Sequence, residues 1–208
     1  VGSDSLLNNT ASNNTAVGYE ALEDNTSGQE NTAVGFQALK DNTTGIYNAS
    51  FGNESLETNT TGDNNTGLGF YALRLNSTGN YNTAVGSQAL EANTASSNTA
   101  VGYKALEANT TGDNNVAIGC GALDAPDTES YNLAIGTDAL GGAIAGGEFN
   151  VAIGHYALDA LTSADNCTVV GHYAGTAVTT GEEATLIGKH AGAANTTGSR
   201  ITAIGSSA

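Results

Sequence analysis

Apolar and polar positions along this chain alternate over about five residues, break at a glycine, and then repeat. The segment Asn14 to Glu30, NTAVGYEALEDNTSGQE, is followed by NTAVGFQALKDNTTGIY, NASFGNESLETNTTGDN and NTGLGFYALRLNSTGNY, and the series ends in ITAIGSSA. Aligned on the glycine of A-V-G, thirteen glycines fall in register from Gly2 to Gly205 at intervals of 16 to 18 residues. A fixed period of this size is the mark of a repeat architecture and takes precedence over any local assignment. The array covers residues 1–208 as a single run with no linker.

Each column of the repeat carries its own requirement. The residue before the glycine is always bulky and apolar, from Val1 and Val17 through Phe51 and Leu68 to Ile204. Three residues after it stands a small side chain, Ala except at Ser5 and Ser55, and the next position is Leu from Leu6 to Leu158, then Gly175 and Gly192. Asn occupies the position four before the glycine from Asn14 to Asn150. Most repeats close on NTTG or a variant, as at Asn42–Gly45 and Asn59–Gly62. This reads as turn chemistry, with Asn and Gly taking the left-handed conformations.

The period-2 alternation in N-T-A-V-G predicts a strand of about five residues. Seventeen residues with internal glycines leave no room for a helix of several turns. Each repeat is therefore expected to form one or two short strands joined by tight turns. Such a unit cannot bury its own apolar face, but stacking on its neighbour can. The expected fold is all-β: a parallel β-solenoid, or β-roll, of about 12 coils with a ~17-residue repeat. Coils stacked at the strand spacing of ~4.8 Å would build a rod on the order of 60 Å long.

Within the strand, the Thr15 and Val17 columns face one way and the Ala16 and Gly18 columns the other. If the small side lines the interior, a ladder of Val, Leu and Ile is left outside, and an exposed apolar stripe of that length is an interaction site. Self-association about a fibre axis covers it, and this is the preferred reading. If the bulky side is interior, a thin monomeric solenoid results.

The NTAVG and NVAIG strands, followed by a small residue and a Gly-rich turn, resemble the head repeats of trimeric autotransporter adhesins. The longer unit NTAVGYxALxxNTTGxx is similar to repeat arrays in phage-type tail fibres. The resemblance spans essentially Val1 to Ala208. It implies a left-handed roll, a homotrimer, and a structural and adhesive role in an extracellular, cell-surface or virion fibre. The implied partners are sister chains and a host or cell-surface receptor such as a glycan.

Composition sharpens the class. Twelve aromatics (8 Tyr, 4 Phe), no Trp, no Met and 28 Gly argue against an ordinary globular core. The 39% hydrophobic share, regularly placed, argues against disorder. Twenty-one acidic against five basic residues give a net charge of −16, which repels phosphate backbones and anionic lipid, so no nucleic acid or membrane partner is expected. No apolar run reaches the ~18 residues needed to span a bilayer. The chain opens VGSDSLL, with neither Met nor a basic stretch and already inside a repeat; a fragment of a longer fibre protein is expected.

Candidate chemistry is sparse. His155 and His172 share one column in adjacent coils, each followed by a tyrosine, Tyr156 and Tyr173. The column also holds Tyr19, Phe36, Asn53 and Cys120, so a variable surface ladder is the preferred reading over a shared metal. Neither Cys120 nor Cys167 is expected to form a catalytic pair with a histidine. T-G-D-N-N at Thr61–Asn65 and Thr111–Asn115 reads as a turn, since the Gly-Gly-x-Gly-x-Asp pattern of calcium-binding rolls is missing. No phosphate loop, hexapeptide period, cofactor site, metal site or catalytic constellation is expected, and the chain is read as no enzyme.

Twelve sequons, Asn8, Asn13, Asn25, Asn42, Asn48, Asn53, Asn59, Asn64, Asn76, Asn109, Asn166 and Asn195, are read as by-products of the turn motif. Two threonine columns, Thr15, Thr32, Thr66, Thr83, Thr99 and Thr10, Thr26, Thr43, Thr60, Thr94, Thr110, raise the alternative of a monomeric solenoid that binds ice or another repetitive surface. Between Gly119 and Asp165 the turns become APDTES, GGAIAGGEF and DALTSAD, which suggests a change of diameter or a local ligand surface.

Overall fold

The computed structural model describes residues 1–125, 128–142 and 146–208. Parts of the irregular turns singled out above, at Pro126, Asp127 and 143–145, lie outside the described residues. The chain comprises two compact units, Val1–Val101 and Gly102–Ala208. Both are parallel β-solenoids built from the same coil, and neither contains a helix among its described residues.

The first unit carries β1 (Thr15–Val17), β2 (Thr32–Val34), β3 (Ala49–Phe51), β4 (Thr66–Leu68), β5 (Thr83–Val85) and β6 (Thr99–Val101). The second carries β7 (Val116–Ile118), β8 (Leu133–Ile135), β9 (Val151–Ile153), β10 (Thr168–Val170), β11 (Thr185–Ile187) and β12 (Thr202–Ile204). Within each unit successive strands pair in parallel with like residue above like: Thr15 on Thr32, Ala16 on Ala33 and Val17 on Val34 in the first, Thr168 on Thr185 and Val170 on Ile187 in the second.

There is one strand per coil and it is three residues long, shorter than the five expected. The hydrogen bonding between layers nevertheless continues around the coil. Leu22 N–H donates to the Ala38 carbonyl at 3.1 Å, Asp24 to Lys40 at 3.0 Å and Thr26 to Thr43 at 3.0 Å, while Gly18 donates back to Val1 at 2.8 Å. What ends the strand is backbone conformation. Glu20, Leu22 and Glu30 sit at φ 53°, 53° and 58°, and their columns repeat these values in coil after coil. Side chains other than glycine resist the left-handed region by ~1–2 kcal/mol per residue. Gly121, Gly175 and Gly192 occupy the same columns at φ near 60° without that cost.

The sequence reading of the NTTG glycine needs correction. Gly45 and Gly62 do not adopt positive φ, and neither does Asn42 or Asn59. The glycine is required by space: a Cβ on Gly45 would lie 2.5 Å from both the Asn42 Oδ1 and the Gly62 carbonyl oxygen. The aligned glycine of A-V-G does need its freedom. Gly35 has φ 145°, and a Cβ there would run into the carbonyl of Gly52 in the next coil.

The small side of the strand faces inward, as preferred from the sequence. Ala33, Ala84, Ala117 and Ala152 are fully buried, and the flanking strand residues point outward. Leu22, Leu39, Leu56, Leu73, Leu90 and Leu106 complete this apolar half of the interior, together with the small residue that precedes each. Burying one such leucine contributes ~1.5–3 kcal/mol per coil.

The other half of the interior is polar. Asn25, Asn42, Asn59 and Asn76 are fully buried, as are Asn31, Asn65 and Asn82. In the first set, Asn42 Nδ2 donates to Asn25 Oδ1 at 2.7 Å and to the Gly45 carbonyl at 3.1 Å, and Asn59 Nδ2 donates to Asn42 Oδ1 at 2.8 Å. In the second, Asn31 Nδ2 donates to the Gly45 carbonyl at 2.8 Å and Asn31 Oδ1 accepts the Asn48 N–H at 2.9 Å. In the second unit, Leu161 and Val178 take positions of the first set, and Cys167 and Ala184 take those of the second.

Asn59→Ala should remove the donor to both Asn42 and Gly62; Asn48 Nδ2 still serves the Gly62 carbonyl, and Asn42 Oδ1 is left buried and unpaired. A loss of about 2–4 kcal/mol is expected in urea unfolding followed by circular dichroism. A second case is local. Ser55 Oγ is buried with no hydrogen-bond partner among the described residues, and a Cβ on Gly67 would lie 2.5 Å from it. Ser55→Ala should therefore stabilise by about 1 kcal/mol. Gly67→Ala should destabilise the natural chain, and much of that penalty should vanish in the Ser55→Ala background.

Candidate functional site

Three surface features follow from the coil: the outward strand face, the ladders of rings and charges beside it, and the turn edge.

The outward strand face carries two columns. One holds Thr15, Thr32, Thr66, Thr83 and Thr99 in the first unit, with Val116, Leu133 and Val151 followed by Thr168, Thr185 and Thr202 in the second. The other is apolar throughout. Val17, Phe51, Leu68 and Val101 in the first unit, and Ile118, Ile187 and Ile204 in the second, are exposed by 37% to 67%, although water is an unfavourable neighbour for each. No strand residue in either unit is charged.

Beside the strand, the two residues after the glycine form paired ladders. In the first unit Tyr19 and Phe36 stack at 5.5 Å, and the fifth residue after the glycine adds charge: Lys40 Nζ reaches Glu20 at 2.9 Å and Arg74 reaches Glu91 at 2.9 Å. Hydrogen bonds from Gln37, Tyr19 and Lys40 hold the Glu20 carboxyl down at about 2. Exposed pairs of this kind contribute little to stability.

The second unit gathers rings. Tyr156, Tyr173 and His190 stack in succession at 5.2 and 5.5 Å, and His155 stacks on His172 at 5.5 Å in the neighbouring column. His190 also stands edge-on to His172 at 6.0 Å, a neighbour that sequence reasoning missed because it sits one position further from its glycine. Stacked this way the rings use their faces on one another and present edges to solvent. Partial desolvation and the nearby His155, Lys189 and His190 lower the His172 pKa below its ordinary value.

Cys120 is exposed and stands in the column of His155, with the coil of Thr137 between them. Cys167 is buried; its Sγ lies 3.3 Å from the Gly181 carbonyl, and its N–H donates to Asn150 Oδ1 at 3.0 Å. It thus replaces an asparagine of the amide ladder, and burial pushes its thiol pKa up.

On the turn edge, the Thr26 and Thr43 hydroxyls donate to the carbonyls of Thr43 and Thr60 in the next coil at 2.8 and 2.9 Å. This second threonine column therefore caps layers instead of presenting free hydroxyls. Asp63 of the TGDNN motif accepts the Ile46 N–H at 2.8 Å, which is a turn role. Of the sequons, the Asn25, Asn42, Asn48, Asn59, Asn76 and Asn109 side chains are buried and closed to glycosylation in the folded chain, whereas Asn8, Asn13, Asn64 and Asn166 are exposed.

Among the described residues there is no pocket, and no group of three or more His, Cys, Asp or Glu side chains is arranged to hold a metal ion. Nor is any helix long and apolar enough to cross a membrane. In the irregular stretch, the Glu129 carboxylate accepts the Gly146 N–H at 2.7 Å and the Thr128 hydroxyl at 2.9 Å, so the described part ties its own loops together. No family profile, curated protein or solved structure matches this chain.

The depressed pKa of His172 makes stability pH-dependent. A histidine whose folded pKa is depressed leaves the unfolded chain the better proton acceptor, so its contribution is present above ~6.5 and is lost as pH falls through the folded value. In an NMR titration His172 should titrate below a free histidine. His172→Asn should flatten the loss of stability between about pH 7 and 5.

Proposed function

We propose that this chain is a structural and adhesive module of an extracellular, cell-surface or virion fibre, assembled as a homotrimer. The observation that carries this reading is the segregation of the surface. The sequence has 21 acidic and 5 basic residues, yet the strands contain none of them. A net charge of −16 opposes association everywhere except on a face kept free of charge. That face carries a ladder of Val, Phe and Leu in the first unit and of Ile and Val in the second. Covering such ladders with sister chains removes apolar area from water and also shields strand columns from unrelated partners.

The mechanism of such a module is geometric. Layered hydrogen bonds hold each solenoid, association covers its apolar face, and turns repeated from coil to coil present the same groups many times. Multivalent display of weak contacts raises avidity toward a host or cell-surface receptor without a deep pocket. Such a receptor, glycan or protein, would be met by the turn edge.

A second reading is supported by the strand face as well. Its threonine and apolar columns run in register from coil to coil, a regular array of the kind that could order water on ice or match another repetitive surface.

Light scattering should give a mass three times the chain's 20.7 kDa. Leu68→Asp combined with Ile187→Asp should reduce it to one chain with an unchanged circular dichroism spectrum. A monomeric natural chain, or a trimer indifferent to these substitutions, defeats the trimeric reading. Thermal hysteresis from a monomer would establish the second.

A further inference from the structure

We propose that His155 and His172 form a two-imidazole chelate for a divalent transition-metal ion such as Zn²⁺ or Cu²⁺. The first argument is the tautomer. His155 Nδ1 lies 3.2 Å from the Thr137 carbonyl oxygen. A carbonyl only accepts, so Nδ1 carries the proton and Nε2 is left with a bare lone pair. This is the arrangement by which a backbone carbonyl orients a metal-binding imidazole and raises its basicity.

The second argument is spacing. The two histidines stand on adjacent coils locked together by the Tyr173 N–H bond to the His155 carbonyl at 2.9 Å. Their ring centroids are 5.5 Å apart with planes 28° from parallel. Two imidazoles bound at Zn–N distances of ~2.0–2.1 Å around a tetrahedral ion place their ring centres roughly 5 Å apart. In the stack the two in-plane lone pairs run side by side; His172 is exposed and must swing its ring out of the stack for its Nε2 to converge on the ion with that of His155, which is held. Water would complete the shell, and imidazole pairs suit Zn²⁺ and Cu²⁺ over Mg²⁺ or Ca²⁺.

The neighbours define the limits of the site. His190 stacks on Tyr173 at 5.5 Å with planes 12° apart and is edge-on to His172, so its ring belongs to the tyrosine ladder. Asp138 is engaged by the Tyr156 hydroxyl. Lys189 follows His172 in the same column and sets a positive charge against a bound cation.

The test is calorimetric titration of the tag-free chain with Zn²⁺, alongside imidazole ¹⁵N spectra. One ion per chain is expected, with the Nε2 resonances of His155 and His172 moving. His155→Asn and His172→Asn should each weaken binding on the order of tenfold or more. His190→Asn should leave it unchanged, and Lys189→Gln should tighten it. All four positions lie at the surface outside the strands and the amide ladders, so the variants should fold as the natural chain does. Zn²⁺ bound equally well by His172→Asn, or binding that depends on His190 instead of His155, overturns the proposal, as does an absence of binding to the natural chain.

Discussion

A buried primary amide carries two donors and one acceptor oxygen, and in this protein those groups find all of their partners only when one coil lies on the next. Asn42 gives one hydrogen to Asn25 in the coil before and one to the Gly45 carbonyl of its own turn, and it receives one from Asn59 in the coil after. A coil displaced by one residue would bury these amides unpaired, at about 1–3 kcal/mol for each orphaned group. A purely aliphatic interior would tolerate such a slip far better. The amide ladder is therefore what fixes register, and the leucine and alanine columns supply the apolar burial that makes the layer worth forming.

Placing two asparagines and a leucine inside a coil of seventeen residues forces the backbone to bend tightly. The left-handed residues do the bending. Glu20 and Leu22 reverse the chain over a few positions, with Glu23 N–H returning to the Glu20 carbonyl at 3.3 Å. Their conformational cost is offset because each bend also aims an N–H along the stacking direction, as Leu22 donates to Ala38. Where the bends bring backbones into closest approach, at Gly35 over Gly52, no side chain fits at all. Stability is thus shared between neighbouring layers, and a single coil removed from its stack would retain almost none of it.

Much of this was legible in the sequence. A fixed glycine, with an alanine two residues before it and a bulky residue between them, specifies a parallel stack and the inward side of the strand. Ala33 and Val34 are placed as that pattern requires. The asparagines were harder. Turn propensity accounts for Asn in N-T-T-G, and nothing in a single sequence separates an asparagine that bends the chain from one that points inward and holds its neighbours. The left-handed leucines were hidden for a related reason, because leucine has no preference for that conformation. The only trace was the replacement of the leucine by Gly175 and Gly192, at φ 61° and 62°. The ring cluster was half visible: the column of His155 and His172 is a matter of counting, but the approach of His190 depends on how adjacent columns lean.

The surface completes the logic of the interior. Because the coil is thin, every strand must turn one of its two faces to the outside, and no rearrangement within a single chain can hide the Val17 and Ile187 columns. Ordinary proteins blunt such a face with lysine or glutamate. Here the charges stand on other columns, where Lys40 and Glu20 or Arg74 and Glu91 cross-link successive coils, and the strands keep only Thr, Ser, Gly and apolar residues. A charge on the strand column would lose its water once a partner covered it, and burial of an unpaired charge costs far more than the apolar contact returns. Excluding charge from that column throughout the repeat is therefore costly for a lone solenoid and favourable for one whose strand face is covered, and this asymmetry is the physical ground for the proposed assembly.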